Sequence, residues 1–133
     1  MTKEFIPYEQ ALALKSLGFD EPCFGWYDSE CQETLNYDRT HNSCGWLLGN
    51  HCTAPTYSQA FRWFRENYVL LGFIEPANGY EDKSLFAFYI CDDEQNIVDD
   101  SHSYSKDSSL HFNTYEEAER ACLDKLIQII KNK

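Results

Sequence analysis

An α+β architecture follows from three features of the 133-residue chain. Three stretches join a helix-start signature to apolar residues at helical spacing. Between them lie short runs rich in aromatic and β-branched residues, bounded by turn signals. The order helix, strands, helix, hairpins, helix then builds a small antiparallel sheet, with about three helices packed mainly on one face. Aromatic residues make up 16% of the sequence, enough apolar area for a short chain to bury a core as one domain over 1–133.

The first helix is expected over Pro7 to Leu17. Pro7 suits a first turn, where a missing N–H costs nothing. Gly18 supplies a left-handed cap and Phe19 can fold back onto the helix. Phe24 to Tyr27 reads as a short strand. Residues 28–55 are polar and irregular, a loop long enough to suggest function. Trp46-Leu47-Leu48 is its one apolar patch and a possible second short strand.

A second helix over 57–68 places Tyr57, Ala60, Phe61, Phe64 and Tyr68 on one face, with Trp63 at the edge of that stripe. Arg62, Arg65 and Glu66 fall opposite. Val69 to Glu75 reads as a strand, and 76–83 as a turn around Asn78-Gly79. Ser84 to Cys91 is apolar on both faces, as a central strand would be, and Ile97-Val98 begins a weaker strand. The final helix, 115–131, buries Tyr115, Ala118, Cys122, Leu126, Ile129 and Ile130. Thr56 with Gln59 and Thr114 with Glu117 form capping boxes at the second and third helix starts.

The net charge is −11. Residues 101–133 balance five acids against five bases, so the whole excess sits in the first hundred. Such a surface repels phosphate backbones and anionic membranes, which disfavours direct nucleic-acid and membrane binding. It suits a partner with a basic face. No apolar run reaches the ~20 residues of a membrane span. The N-terminus lacks a signal-peptide core. The chain is expected to be cytoplasmic, with its six cysteines reduced.

Cys31, His41, Cys44, His51 and Cys52 offer the thiolate and imidazole ligands that tetrahedral zinc prefers. Their spacing lacks a Cys-x-x-Cys pair and spreads over most of the loop, so incidental loop residues are the preferred reading and zinc the alternative. No nucleophile elbow or Gly-rich phosphate loop is present, so a binding role is preferred over an enzymatic one, with no cofactor. The acids Asp92, Asp93, Glu94, Asp99 and Asp100 lack EF-hand spacing and read as a solvated hairpin turn. Arg62, Trp63 and Arg65 are the preferred binding residues, because Trp and Arg are favoured at interface hot spots. The plainer alternative makes Trp63 part of the core and leaves the arginines solvated.

Three stretches carry a resemblance: Glu4 to Lys15 with Leu17 to Cys23, Cys52 to Arg65, and Thr114 to Glu119 leading into Ala121-Cys122-Leu123. Together these resemble a family of small uncharacterised proteins common in phage and prophage genomes. The resemblance covers about half the chain, omits 28–51 and the hairpins, and brings no activity or catalytic residue with it. It implies a phage-type accessory protein in a bacterial cytoplasm, with a host protein as partner. Two other functions are open on the residues. One is a nucleotide-sequestering protein using aromatics such as Trp26, Trp46 and Trp63. The other is a zinc-stabilised adaptor.

Overall fold

The computed structural model describes residues 4–31, 34–45, 47, 49–78, 84–100 and 112–133. The fold is α+β, as the sequence predicts. Among the described residues the strands divide into two antiparallel three-stranded sheets instead of joining in one. By packing, the chain forms two compact units, Met1–Ala60 with Ile130–Lys133, and Phe61–Ile129.

The first unit contains α1 (Tyr8–Ser16), β1 (Cys23–Tyr27), β2 (Leu35–Thr40) and β3 (Cys52–Ala54). Pro7 stands just before α1 in extended conformation, with ψ at 163°. At the other end Gly18 takes φ +99°. Its N–H donates to the Lys15 carbonyl at 3.1 Å, and the Phe19 N–H donates to the Leu14 carbonyl at 3.0 Å. This closes the helix in a Schellman turn and buries Phe19. Tyr8 meets Tyr27 edge to face at 5.9 Å. The Tyr27 hydroxyl donates to the Ile6 carbonyl at 2.8 Å, so the apolar bodies pack while the phenol stays satisfied.

The first sheet runs β2-β1-β3. Two of its strands thus lie inside the stretch expected to be irregular. β2, with sequence LNYDRT, is an edge strand with exposed centre, and polar edges carry no apolar alternation to recognise. β3 is buried at all three positions and too short for a period. Opposite Phe24 the register slips, so Asp38 and Arg39 form a charged bulge in β2. A bulge and two charges blunt a sheet edge against further pairing. Of the expected second strand, Leu47 is buried and belongs to no strand. Trp46 and Leu48 lie outside the described residues.

Asn42 orders the connection that follows. Its amide donates to the Phe19 carbonyl at 2.8 Å, and its oxygen accepts the Thr53 N–H at 2.9 Å. Lys15 fixes the next stretch: its ammonium donates to the carbonyls of Leu47 (3.1 Å), Gly49 (3.0 Å) and His51 (2.6 Å). The Tyr8 hydroxyl takes the Asn50 carbonyl at 2.9 Å.

The helix α2 (Tyr57–Tyr68) passes from the first unit into the second. Its cap is half of the expected box. The Gln59 N–H donates to Thr56 Oγ1 at 3.2 Å, but the Gln59 amide reaches the Pro22 carbonyl at 2.9 Å. The second unit adds β4 (Leu71–Asn78), β5 (Ser84–Cys91), β6 (Ile97–Asp100) and α3 (Tyr115–Lys131), whose last two residues count with the first unit. Thr114 caps α3, with Glu117 N–H to Oγ1 at 3.1 Å, while Glu117 Oε2 accepts the Asn113 N–H at 3.2 Å. Its buried stripe is Ala118, Cys122, Leu123, Leu126 and Ile127, turned from the expected one so that Tyr115 is exposed.

The second sheet runs β4-β5-β6. β4 and β5 pair without interruption from Leu71↔Cys91 to Asn78↔Ser84, and the turn signal at Asn78-Gly79 continues into 79–83, outside the described residues. Gly72 is required by contact: a Cβ there would stand 2.9 Å from both Cys122 Sγ and Phe61 Cε1. The face of the sheet that bears Gly72 therefore meets α3 and the second-unit part of α2.

Candidate binding surface

The residues singled out in the sequence do not gather into a site. Trp63 is only 6% exposed. It packs edge-on against Phe64 at 5.1 Å and Tyr68 at 5.4 Å, and its carbonyl accepts the Asn67 amide at 2.9 Å. It is a core residue, while Arg62 and Arg65 are exposed. Trp26 lies in the first unit, edge-on to His51, and Trp46 lies outside the described residues.

Nor do Cys31, His41, Cys44, His51 and Cys52 converge. Among the described residues no three His, Cys, Asp or Glu side chains are placed to hold a metal. His51 Nδ1 accepts the Ser29 N–H at 3.1 Å. Cys52 is buried in β3 and Cys31 is exposed. Burial pushes the Cys52 thiol up to about 12 and the Cys23 thiol up to about 11. Neutral thiols are poor ligands and poor nucleophiles.

Asp20, His41 and Ser43 resemble a catalytic triad by composition alone. His41 Nδ1 lies 2.9 Å from Ser43 Oγ and 3.5 Å from Asp20 Oδ1, so both neighbours use the same nitrogen. A relay needs the acid on one ring nitrogen and the nucleophile on the other. The Ser43 N–H also donates to Asp20 at 2.7 Å, and hydrogen bonding from Ser43 holds that carboxyl below its ordinary range. This is a loop clamp.

Asp92 likewise closes its own turn. Its carboxylate accepts the N–H groups of Glu94 at 3.0 Å and Asn96 at 2.9 Å. An open groove of about 540 Å³ lies against α1, between Glu9, Leu12, Lys15, Asn50 and Lys131. Lys15 is already engaged there by three carbonyls, and the remaining charges are of opposite sign.

The surface with coherent chemistry is the other face of the second sheet. Direct partners in an antiparallel pair share a face. Phe73 is opposite Tyr89, and Tyr89 is opposite Asp100, so one row crosses all three strands. The Phe73 and Tyr89 rings are stacked, with centroids 4.9 Å apart and planes at 20°. Glu75 stands two residues along from Phe73 on the same face. Past a register slip between Ile90 and Cys91, Ile97 stands opposite Cys91 at the start of β6. Phe73 is 39% exposed and Ile97 63%. Asp99 points the other way, opposite Ile90, and lies 3.6 Å from the Lys125 ammonium.

No family model, no curated protein and no solved structure matches the chain.

Sequence reasoning did not find this surface. β5 is apolar on both faces, so its pattern does not say which residues turn outward. Pairing register decides that, and a turn signal alone does not give the register. One signal was readable: β4, β5 and β6 together contain no Lys or Arg, yet hold Glu75, Asp99 and Asp100. Among the described residues no helix is long and apolar enough to cross a membrane.

Proposed function

We propose that the protein is a non-enzymatic binding protein that acts by occupying a protein partner. On the phage-type resemblance, that partner is a bacterial host protein, a defence protein among the candidates. The reading is carried by the stacked Phe73–Tyr89 pair on a sheet face without basic residues. Exposed aromatic and aliphatic side chains gain free energy when a partner covers them. Tyrosine in particular anchors interfaces at small entropic cost. The acidic setting supplies the selectivity: it repels nucleic acid and attracts a basic protein face.

The test is the native mass of untagged protein, gently purified from a bacterial cytosol, beside a Phe73→Ser, Ile97→Ser variant of matched circular dichroism. Wild type is expected to carry the mass of a second protein and the variant to lose it. A bare wild type, added mass of a nucleotide or zinc instead, or a variant that keeps its partner rejects the reading.

A further inference from the structure

We infer that the outer edge of β4, at Gly72 and Ile74, takes up an extended basic segment of the partner as an added antiparallel strand. This rests on the protein-binding reading above and gives the partner's contact its form.

The phase of the hydrogen bonds shows which way β4 points. In an antiparallel strand the N–H and C=O of one residue point to the same side, and the side alternates along the chain. Phe86 exchanges both bonds with Phe112 at 2.8 Å, and the N–H of Asp92, just past β5, donates to the Asn96 carbonyl at 3.0 Å. Even-numbered residues of β5 thus point away from β4, and odd-numbered ones toward it. Phe73 is opposite Tyr89 and Ile74 opposite Phe88. Phe73 and Glu75 therefore bond to β5, while Gly72, Ile74 and Pro76 turn their main-chain groups to the open edge. Two neighbours obey the same phase. Leu70, also turned outward, gives its N–H to the Phe64 carbonyl at 3.4 Å. Pro76 has no N–H and stands where the ladder needs none, as proline does in edge strands.

Gly72 and Ile74 lie between these two stops. β4 ends its sheet, and among the described residues their outward N–H and C=O groups have no hydrogen-bond partner. Unpaired edge groups are a template for another strand. A strand laid antiparallel there exchanges two bonds with each residue. Its residue between those bonds stands opposite Phe73 in a non-hydrogen-bonded pair, the closer of the two kinds. Phe73 is 39% exposed, so an apolar β-branched residue fits beside it.

Charge decides between occupants. The net charge is −11, and Asp93 and Glu94 are exposed in the turn that leaves β5 beside Leu71. A second copy brings the same charge, and so short an edge covers far less than the roughly 1,200 Å² of a stable interface. A basic segment of another protein meets opposite charge.

The experiment is NMR on the full chain, amide exchange first and titration second. In the free chain the Gly72 and Ile74 amides should exchange at least tenfold faster than those of Phe73 and Glu75. Acetyl-Arg-Thr-Val-Thr-Arg-amide should slow both and shift residues 71–75. N-methylation of its two threonines should abolish binding, because those N–H groups make the bonds. N-methylation of its valine should leave affinity within threefold, because that N–H faces away. Replacing both arginines by glutamate should weaken binding at least fivefold. Gly72 and Ile74 amides as protected as Phe73 in the free chain would mean a covered edge and overturn the inference. Protection that grows with chain concentration alone makes a second copy the occupant and also overturns it. So do equal affinities of the Arg and Glu peptides, an N-methyl-threonine peptide that binds like its parent, loss of binding through N-methyl-valine, or no shift at millimolar peptide. If strand addition fails while the Phe73→Ser, Ile97→Ser variant still sheds its partner, the edge inference falls and the protein-binding reading stands. If that variant keeps its partner, the reading itself falls, whatever the peptide does.

Discussion

Val69 follows α2 with φ at +54°, a region that crowds a β-branched side chain against its own backbone. The Leu70 N–H donates to the Phe64 carbonyl at 3.4 Å, so the strained residue still helps close the helix. Asparagine tolerates this conformation and makes no large change to the unfolded chain. Val69→Asn is therefore expected to raise stability by about 1 kcal/mol in urea unfolding. An unchanged midpoint would mean that the exposed valine side chain contributes packing equal to the strain. Gly18, by contrast, was legible from sequence, because a glycine just beyond an apolar-periodic stretch marks a left-handed cap. Val69 was not, because nothing in its chemistry advertises a positive φ. The strand therefore begins at Leu71 and not at Val69.

At the scale of elements, legibility followed length and period. The third helix repeats its apolar spacing through four turns and carries a capping threonine, and its bounds were expected at 115–131 and found there. β2 and β3 offered neither signal: one is a polar edge with a charged bulge, the other three buried residues. The candidate surface was hidden for a related reason. Which side of β5 faces outward is a property of pairing, and pairing is not written in one strand. Packing of the second sheet can be probed at Gly72. A methyl group there would collide with Cys122 and Phe61, neither of which is a free chain end. Gly72→Ala should cost about 1–3 kcal/mol through overpacking, read as a lower denaturant midpoint at unchanged slope. Gly72→Ala combined with Cys122→Ala should recover part of that loss, since half the collision is removed.

For the molecule as a whole, stability is set to fail on the alkaline side. Below pH 9 the thiols of Cys23 and Cys52 are protonated in both folded and unfolded chains, since 9 is their ordinary value. Above it the unfolded chain gives up these protons, while burial pushes the folded values up to about 11 for Cys23 and about 12 for Cys52. The unfolded state then binds fewer protons, so stability falls as pH rises, by about 1.4 kcal/mol per unit for each thiol across its window. Urea midpoints at pH 8 and pH 10.5 should show this decline, and a Cys23→Ala, Cys52→Ala variant should show a shallower one. Equal declines would assign the alkaline loss to other groups. The clasp formed by Lys15 bears on how such a protein can change over generations. Among the described residues every partner of that ammonium is a main-chain oxygen, at Leu47, Gly49 and His51, and main-chain oxygens are the same in all residues. The clasp is blind to the side chains it holds and sensitive only to how many residues separate them. The clasp penalises inserting or deleting a residue and leaves the letters to whatever other contacts hold them, as burial holds Leu47, so relatives should agree there in length more closely than in spelling.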